Sequence, residues 1–99
     1  MAARTPEGIL KSKCRKLALR LKLIYWNIEG KGVNGIPDTI VGKYPRGSGV
    51  IILEAKREGK EPTEQQEKRI RELRESGQEA DWYDSYERFC ELIGYDLSL

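Results

Sequence analysis

The 99-residue sequence predicts one α/β domain, with three helices and four strands in the order αβββαβα. Three observations predict this class. An apolar stripe with helical spacing opens the chain, runs of aromatic, β-branched and other apolar residues at 23–28 and 50–53 are typical of strands, and a helix-start signal follows at Thr63. A chain of this length has room for a single core, so residues 1–99 are expected to form one domain.

The first helix is expected to begin at Thr5, a suitable N-cap, and Pro6, whose missing N–H costs nothing at the first helical position. One face of this helix repeats apolar residues at spacings of four, three and four, namely Leu10, Cys14, Leu17 and Leu21. Its other positions carry cations, which form either a solvated surface or a face that follows phosphates: Lys11, Lys13, Arg15, Lys16, Arg20 and Lys22.

Three strands are predicted next. Residues 23–28 are rich in aromatic and β-branched side chains, and the glycines that follow indicate a loop at 29–35. Residues 36–41 predict a second strand, and 43–49 have the composition of a turn. The continuous apolar run 50–53 is suited to a central strand that is buried on both faces.

The second half of the chain predicts a helix, a strand and a helix. Thr63 and Gln66 have the spacing of a capping box at the start of the first of these helices. Residues 78–83 predict the last strand. Asp84 is the expected N-cap of a final helix that ends at Gly94.

The charge is distributed unevenly along the chain. Residues 1–60 hold thirteen Lys/Arg and five Asp/Glu, whereas residues 61–99 hold five and eleven. A basic first half favours a polyanionic partner, although only weakly. Residues 1–6 lack the hydrophobic region of a signal peptide, and no apolar run approaches the roughly 20 residues of a membrane span. We therefore expect no membrane association and a cytoplasmic protein, in the host cytoplasm if a phage encodes it.

The chain contains no histidine, which excludes several kinds of site. A Ser-His-Asp triad, a Cys-His pair, a catalytic zinc with imidazole ligands and an HNH-type nuclease all require that residue. Acid–base chemistry would have to use carboxylates, lysine, tyrosine or metal-bound water. The two cysteines, Cys14 and Cys90, are expected to be buried free thiols.

Two carboxylates and a lysine stand out in the middle of the chain. Asp38 precedes Glu54 by fifteen intervening residues, and Glu54-Ala55-Lys56 ends the predicted third strand. Because residues two apart in a strand face the same side, Glu54 and Lys56 should point together. A hairpin would bring Asp38 alongside, and the Ala55 carbonyl is a further oxygen ligand. Hard oxygen ligands suit Mg²⁺ or Mn²⁺ and the hydrolysis of phosphodiesters.

Each of these residues also has a structural interpretation. Asp38 after a proline can shape a turn, and Glu54 with Lys56 can be a solvent-facing pair at a strand end. Gln66 can be no more than the N3 residue of a capping box with Thr63. A cap and an active-site contact are also compatible, since a helix N-terminus aimed at phosphate would use both.

Taken together, the residues resemble a known family. Pro37-Asp38 followed by Glu54-Ala55-Lys56 matches the PD-(D/E)xK nuclease superfamily. The wider pattern resembles the VRR-NUC family, in its small stand-alone form typical of phages, and covers residues 7–93: Gly35-Ile36-Pro37-Asp38, Ile52-Leu53-Glu54-Ala55-Lys56, Thr63-Glu64-Gln65-Gln66, Leu73 and Gly77.

The resemblance implies a restriction-endonuclease-like fold, in which a mixed β-sheet is flanked by helices and carries a metal site at one edge. It assigns Asp38 and Glu54 as metal ligands, Lys56 as the catalytic lysine and Gln66 as a supporting active-site residue. Glu7 matches a helical acid that can complete the metal shell. The residue alone is equally well explained as a first-turn acid that the helix dipole favours.

The leading hypothesis is a Mg²⁺- or Mn²⁺-dependent DNA endonuclease. Stand-alone members of the family resemble dimers that act on branched DNA such as four-way junctions, so a homodimer is expected. Aromatic residues that belong either to such an interface or to the core are Tyr25, Trp26, Trp82, Tyr83, Tyr86 and Phe89. The alternative is a catalytically silent DNA-binding or recruitment module, which the basic first helix would support. Activity on RNA or plain duplex is a third possibility.

Overall fold

The computed structural model describes residues 5–98, so most of the segment used for the signal-peptide prediction lies outside the described residues. The elements follow the predicted order. The helices are α1 (Pro6–Arg20), α2 (Glu64–Glu75) and α3 (Tyr86–Ile93), and the strands are β1 (Tyr25–Asn27), β2 (Thr39–Gly42), β3 (Val50–Ala55) and β4 (Ala80–Tyr83). Among residues 5–98, no helix has the length and hydrophobicity needed to cross a membrane.

The four strands form one mixed sheet in the order β1-β2-β3-β4. β1 pairs with β2, and β2 with β3, in antiparallel orientation, whereas β3 and β4 are parallel and are linked through α2. The first three strands therefore form a meander, and β1 lies at an edge of the sheet. This arrangement confirms the predicted fold class, a mixed sheet flanked by helices.

The strands are shorter than the sequence predicts. The predicted strand at 36–41 begins only at Thr39, after Pro37, which has no N–H to donate, and a bend at Asp38. The prediction that the 50–53 run is buried on both faces is only partly right. Ile51 and Leu53 are buried, but Ile52, whose side chain faces the opposite side of the sheet, is only half-buried.

The helix caps follow the sequence signals with one exception. Thr5 accepts a hydrogen bond from the backbone of the first turn of α1, and the capping box predicted at the start of α2 is present. The N-cap of α3, however, is Ser85 and not Asp84 as predicted, because the Ser85 hydroxyl accepts from the Arg88 N–H. Asp84 instead accepts from the Gly59 N–H through Oδ2 at 3.2 Å.

The core lies between one face of the sheet and helices α1 and α3. Its members include Cys14 and Leu17 of α1 and the two α3 residues Phe89 and Cys90. Both cysteines are buried free thiols, as predicted. Of the aromatic residues left open between core and interface, Tyr83 and Phe89 are buried, and Tyr25 and Tyr86 pack against the core. Trp82 is half-buried and Trp26 is exposed.

Candidate active site

The pairing of β2 with β3 brings Asp38 to Glu54. Thr39 is registered opposite Leu53, so Asp38, one residue before β2, lies at the end of β3 that carries Glu54. Asp38 Oδ2 accepts a hydrogen bond of 3.1 Å from the Ala55 N–H. The strand that holds one carboxylate thus orients the other. The sequence predicted Asp38 on the second strand, but it lies in the bend before that strand.

Lys56 and Gln66 both reach Glu54. Lys56 Nζ lies 3.9 Å from Glu54 Oε2, consistent with the period of the strand. Gln66 Nε2, from the first turn of α2, donates to the same oxygen at 3.2 Å. The Gln66 Oε1 atom accepts from the Thr63 N–H at 2.9 Å. A single amide therefore closes the capping box with one atom and holds Glu54 with the other.

Glu54 is unusual for a carboxylate because only 4% of it is exposed. Burial is the main cause that raises the pKa of Glu54 to about 7, and the negative charge of Asp38 is the second. The positive charge of Lys56 opposes both. Among the described residues, Glu54 Oε1 has no hydrogen-bond partner. An unpartnered buried carboxylate oxygen costs stability, and a bound ligand would satisfy it.

Glu7 and Lys11 approach the site from α1. Lys11 Nζ is 3.7 Å from Asp38 Oδ2, and the charge of Glu7 is close enough to contribute to the raised pKa of Glu54. Sequence reasoning placed Lys11 only on the cationic surface of the helix. Its spacing of four from Glu7 was the available signal, since residues four apart share a helix face.

The structure does not gather all the predicted ligands into one cluster. Within residues 5–98, no three side chains of the His, Cys, Asp and Glu types are grouped closely enough to hold a metal ion. Asp38 and Glu54 are linked through the Ala55 backbone, and Glu7 does not complete a three-acid cluster with them. The protein itself therefore supplies a pair of carboxylates with Lys56 and Gln66 on one side and Lys11 on the other.

Gly35 explains how α2 comes to present Gln66. Its φ is +82°, and a Cβ at this position would lie 2.7 Å from the backbone carbon and oxygen of Gln65. The loop before Asp38 therefore packs directly against the first turn of α2, and only glycine permits both the backbone angle and the close approach. This packing connects the segment that carries Asp38 to the helix that carries Gln66.

A divalent cation fits this donor set. Asp38, Glu54 and the Ala55 carbonyl are oxygen donors, which Mg²⁺ and Mn²⁺ prefer. Among the described residues, Glu54 Oε1 is the only carboxylate oxygen that is buried without a hydrogen-bond partner, and the other buried side-chain atoms without one are the hydroxyls of Tyr25 and Tyr83.

The comparisons with known proteins address the fold. No family profile and no curated protein matches the chain. A solved structure described as a VRR_NUC domain is similar, with a TM-score of 0.77 over 91% of this chain and 96% of that one, at 24% sequence identity. The chain has the fold of a VRR_NUC domain. At this identity the likeness concerns the VRR_NUC fold alone.

Proposed function

We propose that the protein is a Mg²⁺- or Mn²⁺-dependent DNA endonuclease of the VRR-NUC family. The observation that carries the proposal is Glu54, a nearly inaccessible carboxylate with one unpartnered oxygen, placed beside Asp38 on a nuclease fold. A solvent-facing pair at a strand end, the structural alternative for Glu54 and Lys56, does not fit this burial.

In this proposal the acidic residues of the site hold an ion, and Lys56 acts on the phosphate. Asp38, Glu54 and the Ala55 carbonyl would hold the cation, with Glu7 as a further acid on the α1 side. When bound, the cation activates water and neutralises negative charge that grows on the phosphate. Lys56 lies beside Glu54, where its ammonium group can hold a water molecule in place or stabilise that charge.

Gln66 positions Glu54 for this role. Its amide N–H donates to Oε2, and its carbonyl is fixed by the start of α2, so the Glu54 carboxylate is held from the side opposite to its unpartnered oxygen. Lys11 holds a positive charge near Asp38, which offsets the repulsion between the two carboxylates in the absence of a cation.

The central experiment compares Lys56→Ala with the wild type on a labelled four-way junction, with and without Mg²⁺ or Mn²⁺. We expect the variant to bind the junction normally and to cut it about 10²- to 10⁴-fold more slowly, because it loses a charge next to the reacting phosphate. Lys60→Ala, at an exposed lysine of the following loop, is the matched control. Normal cutting by Lys56→Ala would refute this assignment.

A branched substrate and a homodimer belong to the same proposal. They are supported by the resemblance of the sequence to stand-alone VRR-NUC members. A panel of junction, flap and linear duplex DNA tests the first, and a sizing measurement tests the second. If the protein binds these molecules and never nicks them with either metal, the silent recruitment module is the correct reading, with the cations of α1 as its DNA contacts.

A further inference from the structure

A groove lies at the end of the sheet away from Glu54, beside the edge strand β1. It has a volume of about 530 Å³ and is bounded by the end of α1, the start of β1 and the turn between β2 and β3. Its lining combines apolar and aromatic side chains with three cations, and no acidic residue of the described chain lines it. We call it the edge groove.

Trp26 is the prominent side chain of the edge groove. It is 60% exposed, the most exposed large hydrophobic residue of the described chain. A tryptophan left in water on an edge strand contributes little to the core, so its ring is available to a ligand.

The register of the sheet places Trp26 on the same face as the proposed active site. Trp26 is paired with Ile40, and Ile40 is paired with Ile52, so the three side chains share one face. Glu54 lies two residues beyond Ile52 on that same face. Asp38, just before β2, is two residues from Ile40, at most about 7 Å along the chain. A chain lying across this face can therefore contact Trp26 and reach Asp38, whose side chain is 27% exposed.

The charges around the edge groove favour an anion. Lys43 is partly neutralised by Glu79, whose Oε2 lies 2.9 Å from its Nζ. Within residues 5–98, Lys22 and Arg46 have no carboxylate within ion-pair distance. An exposed aromatic ring that shares a groove with two uncompensated cations suits single-stranded nucleic acid, with bases stacked on the ring and phosphates on the cations.

We propose that the edge groove binds an unpaired strand of the DNA substrate, with a base stacked on Trp26 and phosphates contacting Lys22 and Arg46. The inference rests on the proposed nuclease function and adds a substrate feature to it. Bases inside a duplex are already stacked on their neighbours, so only unpaired nucleotides next to the cut can stack on the Trp26 ring. Substrates with a single-stranded segment beside the branch are therefore preferred.

A second copy of this chain is the competing occupant of the edge groove. A two-fold interface places the same patch of both subunits face to face. It would bring the uncompensated Lys22 and Arg46 of each copy together without acidic residues in the lining, which is unfavourable. The charges thus favour DNA over self-association at this surface.

Binding is measured with chelator present, so that the result does not depend on cleavage. The probe is a fluorescently labelled oligothymidylate of about 12 nucleotides, within the range of single-strand sites. We expect Trp26→Ala to weaken its binding at least fivefold, while Trp26→Phe, which keeps an aromatic ring, retains most of the affinity. Exposure of this side chain means that both variants should fold, which circular dichroism checks.

Charge and fluorescence supply two further readouts. The double variant Lys22→Ala/Arg46→Ala should reduce the slope of log affinity against log salt by about 1.4, and Lys68→Ala, at an exposed lysine of α2, is the control. Trp26 and Trp82 are the two tryptophans, so in Trp82→Phe the oligonucleotide should quench the remaining emission. Unchanged affinity in Trp26→Ala, or no quenching, would overturn the proposal.

The outcomes also separate this inference from the proposed function. Oligonucleotide binding that depends on Trp26, in a protein that never nicks DNA, would reject the nuclease and keep the edge groove as a strand-binding site. Normal nicking of a flap by Trp26→Ala would reject the edge groove and keep the nuclease. A dimer that dissociates in Trp26→Ala, with unchanged oligonucleotide affinity, would assign the groove to a second copy and overturn the inference.

Discussion

Replacing Glu54 by glutamine should stabilise the metal-free protein at neutral and alkaline pH. The pKa of Glu54 is raised in the folded state from 4.5 to about 7, chiefly by burial. Between these values the folded protein binds more protons than the unfolded chain, so its stability falls as the pH rises from 4.5 to 7. At about 1.4 kcal/mol per pKa unit, the ionised carboxylate costs about 3 kcal/mol above pH 7.

Glutamine has nearly the shape of a protonated glutamate and does not titrate. Its carbonyl can still accept from Gln66 Nε2, so the variant should keep that hydrogen bond. In the presence of EDTA, Glu54→Gln should exceed the wild type by about 3 kcal/mol near pH 8 and by little near pH 4, where the wild-type carboxyl is neutral in both states. Denaturant unfolding at both pH values measures the free energy of unfolding.

The control is Glu61→Gln, at an exposed carboxylate, which should change the free energy of unfolding by less than about 0.5 kcal/mol at either pH. Adding Mg²⁺ or Mn²⁺ at neutral pH should stabilise the wild type, since the ion binds the folded state, and should stabilise Glu54→Gln much less. If Glu54→Gln is less stable than the wild type at both pH values, the buried carboxylate contributes to folding, and the interpretation of this residue as a ligand is wrong.

Two further predictions concern the elements that position Glu54. Gly35→Ala should be about 1 to 3 kcal/mol more destabilising than Gly32→Ala, by denaturant unfolding. Both glycines have positive φ, but a Cβ at Gly32 meets nothing within 4 Å, so equal losses would contradict the close packing of Gly35 on α2. Gln66→Ala and Thr63→Ala should each cost about 1 kcal/mol through the capping box. Only Gln66→Ala loses the bond to Glu54, so a junction-nicking rate that falls equally in both variants would show that Gln66 acts only as a cap.

Local signals predicted much of the fold. The capping box at Thr63 and Gln66, the start of α1 at Thr5 and the end of α3 at Gly94 are all decided by neighbouring residues, which is why the sequence predicts them correctly. The predicted position of the α3 N-cap was wrong by one residue, because Asp84 and Ser85 are both residue types that cap helices well. The Asp84 carboxylate accepts a hydrogen bond from the N–H of Gly59, which is distant in sequence, and the Ser85 hydroxyl caps the helix instead.

The candidate site was predicted in part for the same reason. Glu54 and Lys56 share a face because of the period of a strand, and a short hairpin brings Asp38 beside them. Lys11 was missed because its contact with Asp38 joins residues 27 positions apart, across the packing of α1 near the end of the sheet. The sequence left Trp26 open between core and interface, since an aromatic residue fits a core strand as well as an edge strand, and only the structure shows that it is exposed.

The sequence alone thus determined the order of the elements, the chemical types available to the site and the pairing of Glu54 with Lys56, because these depend on residue identity and on short-range backbone periodicity. Only the tertiary structure decided that Glu54 is buried with an unpartnered oxygen, that Glu7 does not form a three-acid cluster with Asp38 and Glu54, and that β1 is an edge strand. Burial and electrostatics depend on what packs around a residue, and that is fixed by contacts between segments far apart in the chain.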